Sequence, residues 1–63
     1  MKAYLISIPS ISRESTIVYA ETRGKAKSEV WLDIKDVWPD LKYTDIKARF
    51  AMLEDFEKWK VRS

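Results

Sequence analysis

The amino-acid sequence predicts a small α+β fold: a β-β-α-β domain with a three-stranded sheet, one main amphipathic helix on one face and a short C-terminal helix. Three observations predict it. Apolar residues alternate up to Ala20, as they do in strands. After Thr22 the apolar spacing becomes helical. Alternation then returns over Ile46, Ala48, Phe50 and Met52.

Each element has its own local reason. Lys2 to Ile8 reads as a strand rich in β-branched and aromatic residues, closed by Pro9, which has no N–H to give to a ladder. Ser10, Ser12, Arg13 and Glu14 suit a polar connection, and Thr16 to Ala20 reads as the second strand of an antiparallel hairpin. Ala26, Val30, Ile34 and Val37 form one stripe of a helix, with Trp31 and Trp38 beside it. Thr22 is the expected N-cap. Pro39 disfavours helical backbone at Trp38, so the helix is expected to stop near there. Thr44 to Ala51 is read as a third strand, although Ile46, Phe50 and Leu53 also fit helical spacing, and Glu54 to Lys60 as a short terminal helix. The third strand is expected beside the first and parallel to the second, by a right-handed crossover.

Residues 1–63 are read as one domain, since so short a chain builds only one core. There is no cysteine, so packing or a partner must hold the core rather than disulfides or a cysteine zinc site. No apolar run approaches the roughly 20 residues that span a bilayer, and no signal-peptide pattern is expected. Twelve basic residues against ten acidic leave +2, too balanced to argue for nucleic acid by total charge alone.

The motifs are weighed against ordinary structure. Trp38-Pro39-Asp40 matches the mobile-loop tripeptide of protein tyrosine phosphatases, but those enzymes need a thiolate and this chain has no Cys. Its plain reading is a helix stop and a turn. Gly24-Lys25 resembles the end of a phosphate-binding loop, yet Tyr19 stands where the first glycine is required and Ala26 where Ser or Thr would hold magnesium. Asp33, Asp36 and Asp40, and Glu54, Asp55 and Glu57, have no calcium-loop spacing and are expected to face water. With no His and no Cys, the commonest general base and the most reactive nucleophile are missing. The chain is therefore expected to be non-enzymatic, with no cofactor, no metal and no small-molecule substrate.

The run Ala20-Glu21-Thr22-Arg23-Gly24-Lys25-Ala26-Lys27 resembles the strand-to-helix segment of a group of small phage and prophage proteins. A later basic strand, here Asp45 to Arg49, belongs to the same likeness, which covers Ile17 to Arg49. It implies a phage or prophage gene and a bacterial cytoplasmic setting, and no activity.

Two binding readings follow. The first is a module acting on a protein partner or as a homodimer. Neither early strand has a polar face, one helix can cover only one side, and Leu53, Phe56, Trp59 and Trp38 are candidate contact residues. The same argument allows a monomer sealed by its own C-terminus. The second reading is weak nucleic-acid binding through Arg23, Lys25, Lys27, Lys47 and Arg49, three of them at the helix start and two on the third strand.

Overall fold

In the computed structural model, which describes residues 1–62, the chain runs β1 (Lys2–Ser7), β2 (Ser15–Ala20), α1 (Arg23–Ile34), a 3-10 turn (Tyr43–Asp45), β3 (Lys47–Phe50) and α2 (Leu53–Lys58). The sheet order is β2-β1-β3, with β1 antiparallel to both neighbours. β3 therefore lies beside β1 and parallel to β2, and the α+β reading stands.

Register sorts the strand residues into two faces. Tyr4 sits opposite Val18 and Lys2 opposite Ala20, so Tyr4, Ile6, Val18 and Ala20 share the face that α1 covers with Ala26 and Val30. Ile46, just before β3, completes that core with no solvent exposure. Burying an aliphatic side chain of this size stabilises by about 1.5–3 kcal/mol. Leu5 and Ile17 pair across the opposite face, and they too are buried, Ile17 completely.

The C-terminal segment covers this second face. α2 begins just after β3, and its Phe56 ring lies 6.4 Å from the ring of Tyr19 on β2. Val61 then bridges in parallel to Ile17: the Ile17 N–H donates to the Lys60 carbonyl at 3.1 Å and the Arg62 N–H to the Ile17 carbonyl at 2.7 Å. Arg62 forms an ion pair with Asp33 of α1. The tail thus occupies part of the β2 edge and ties it to the helix on the other face. The absence of a polar face on the early strands is met by the chain itself at Leu5 and Ile17.

Thr22 caps α1 as expected, its hydroxyl accepting from the Lys25 N–H at 3.1 Å. The helix ends at Ile34, however, and not near Trp38. The Ile34 carbonyl accepts from both the Val37 and Trp38 N–H groups, which tightens the chain into turns before Pro39. Val37, expected on the buried stripe, is consequently 69% exposed. β3 starts at Lys47 rather than Thr44, because Asp45 accepts from the Lys42 N–H and holds residues 43–45 in the 3-10 turn. α2 is shorter than the expected Glu54–Lys60, its last turn closing with the Trp59 N–H on the Asp55 carbonyl.

Asp55, read from sequence as a solvated acid, is buried. Both of its oxygens accept from the Arg49 guanidinium, at 2.8 and 3.0 Å, and one also accepts from the Met52 N–H. The Arg49 hydrogen bonds, then the Met52 bond, hold the carboxyl below the usual aspartate range against the opposing effect of burial. The same Arg49–Asp55 hydrogen bond raises Arg49. This fork fixes α2 against β3.

Candidate protein-contact groove

Two turns set the walls of a groove at one end of the molecule. In the hairpin loop, the Ile8 carbonyl accepts from the N–H groups of Ile11 and Ser12, which brings Ile11 back over the strand ends. After α1, Trp38 is held through both backbone groups: its N–H donates to Ile34 and its carbonyl accepts from Leu41. Trp38 as a residue stays 48% exposed. Between the turns lies a groove of about 260 Å³ walled by Ile8, Ile11, Ile34 and Trp38, with core residues Ile6 and Val30 at its base. A second groove of about 240 Å³ adjoins it across Ile11 and Trp38, and reaches Pro39 and Leu41. Glu14 borders the first groove, Asp40 and Asp45 the second, and neither is lined by Lys or Arg.

The four residues expected to contact a partner do not form one surface. Trp38 belongs to the α1 side of the sheet, whereas α2 and Trp59 belong to the other. Leu53 is 86% exposed, Phe56 leans on Tyr19, and Trp59 is half-buried beside Ser15 with the Lys58 amine 5.1 Å from its ring centre.

The five basic candidates also separate. Lys25 is ion-paired to Glu21 at 2.9 Å, Lys27 stands 4.8 Å over the Tyr43 ring, and Lys47 is exposed on β3. Arg23 and Arg49 do share a site, lining a pocket of about 320 Å³ with Tyr4 and Phe50. The Phe50 ring stacks on Tyr4 with centroids 5.2 Å apart, and the Lys2 amine lies 5.8 Å from the Phe50 centre. The sequence reading took Phe50 only as one of the alternating apolar residues of the third strand. The signal it passed over was position: Phe50 ends a short strand at the sheet edge, where cover runs out.

Among the described residues, no group of three or more carboxylates gathers to hold a metal ion, and no helix is long and apolar enough to cross a membrane. No family model, no curated protein and no solved structure matches this chain.

Proposed function

We propose that this chain is a non-enzymatic binding module that receives a segment of a protein partner in the grooves beside Trp38. The observation that carries this reading is the pair of apolar grooves sharing Ile11 and Trp38, whose charged lining residues are Glu14, Asp40 and Asp45. A bulky apolar anchor fits the apolar walls, and lysine or arginine flanking it complements the carboxylates. Trp is a residue type enriched among the side chains that dominate binding energy. A heterologous partner is favoured over a homodimer, because Leu5 and Ile17 on the second sheet face are already covered within the chain. The phage or prophage setting, with a bacterial cytoplasm, is part of the proposal and rests on the resemblance of Ala20 to Lys27 alone.

Selection from a random-peptide library on the immobilised protein tests it. Winning peptides should carry an aromatic or leucine flanked by basic residues. They should lose binding to Trp38→Ala and Ile11→Asp while keeping it to Leu53→Asp. Winners that ignore Trp38 and Ile11 and fail on Leu53→Asp would move the contact surface to α2 and refute the groove reading.

A further inference from the structure

We propose that the Tyr4–Phe50 stack, with Lys2, Arg23 and Arg49 around it, is a binding site for single-stranded nucleic acid. The site lies on a different surface from the Trp38 grooves and does not depend on them. Its chemistry is unusual for this chain in two ways. Phe50 is a large aromatic left 61% exposed, yet it is held in place by near-parallel stacking on buried Tyr4, with 22° between the ring planes. The side chains lining the pocket beside it are two aromatics and two arginines, with no carboxylate among them. Lys2 adds a third cation over the ring.

An exposed, pre-positioned ring is a platform for an unpaired base, because every base has a π-face. Cations at its rim meet the phosphates on either side of that base. Arg49 is already neutralised in part by Asp55, so Lys2 and Arg23 supply most of the free charge. Two to three phosphate contacts give a shallow salt dependence, with log affinity falling at roughly −1.4 to −2 per log unit of salt. A duplex cannot use the ring, since its bases are already stacked on one another. Of the basic set expected from sequence, Lys25, Lys27 and Lys47 are not at this site. Lys2, Tyr4 and Phe50, which that set omitted, are.

Fluorescence anisotropy of a labelled oligothymidylate, titrated with the full chain at low salt, tests the assignment. Wild type should bind the single strand more tightly than a duplex of equal phosphate count. Phe50→Ala should weaken binding roughly 5- to 150-fold, the range for losing one base–aromatic stack. Phe50→Leu, which keeps apolar cover over Tyr4, should weaken it similarly, and Phe50→Trp should restore it. Lys2→Glu with Arg23→Glu should abolish binding, whereas Lys35→Glu with Lys58→Glu, the same charge change away from the pocket, should leave most of it. Circular dichroism checks that each variant is folded. The proposal is overturned by no anisotropy change at millimolar protein, by equal affinity for duplex, by Phe50→Leu matching wild type, or by polyglutamate displacing the oligonucleotide as well as unlabelled strand does.

Discussion

Replacing Ile17 tests whether the C-terminal segment seals the second face of the sheet. Ile17 is fully buried, and it belongs to the face away from α1, so only α2 and the tail can be covering it. Ile17→Val removes one carbon and should cost about 0.5–1.5 kcal/mol. Ile17→Ala removes three, about 0.8 kcal/mol each by transfer, and the cavity left behind adds to that, giving about 3–4 kcal/mol. A chain of this length has roughly 3–9 kcal/mol of total stability, so the alanine variant should lose a large part of it, and all of it at the lower end of that range, while the valine variant stays folded but weakened. Urea denaturation followed by circular dichroism, with trimethylamine oxide present to lengthen the native baseline, reads both. Leu32→Ala, at a position 56% exposed on α1, is the control and should stay within about 0.5 kcal/mol. If Ile17→Ala cost no more than Leu32→Ala, the second face would be open to water and the sealed arrangement wrong.

Three further outcomes follow from local geometry. Thr22→Ala should lose about 1 kcal/mol in denaturant titration, because the cap bond to the Lys25 N–H goes with it. Gly24→Ala should gain about 0.5–1 kcal/mol, since Gly24 sits in the first turn of α1 with ordinary helical backbone and nothing within 4 Å of an added methyl group. Asp55 has a carboxyl depressed in the folded chain, so its contribution is present above the ordinary aspartate value and is lost as pH falls through the depressed one. The stability gap between wild type and Asp55→Asn should therefore be full near neutrality and shrink below about pH 4. A gap unchanged with pH would remove the ion pair from the account.

The parts of this fold that were legible in the sequence are those fixed by neighbours along the chain. The alternation through Tyr4 and Ile6, the Thr22 cap and the extended backbone from Ile46 to Phe50 all follow from local pattern. What was misread depends on what lies across space. Val37 has the spacing of a buried residue, but helical winding has ended three residues earlier, at Ile34, so it points to solvent. Asp55 sits among exposed acids, and the turn from β3 into α2 sets it back against Arg49 six residues earlier, with the Met52 N–H as a further donor. Phe50 alternates correctly with Ile46 and Ala48, yet β3 is the last strand on its side, and with no further strand beyond it Phe50 stays 61% exposed despite its stack on Tyr4. The candidate contact residues divide for the same reason: Trp38 and Phe56 look alike in sequence, but the sheet stands between them.

The most direct test of the contact reading is a titration of isotope-labelled protein with the strongest library peptide, followed at the three tryptophan indole N–H signals. The grooves beside Trp38 predict that the Trp38 indole signal moves most, together with the amides of Ile11 and Leu41, while the Trp59 signal stays in place. Movement concentrated at Trp59, Leu53 and Phe56, with Trp38 unaffected, would contradict it.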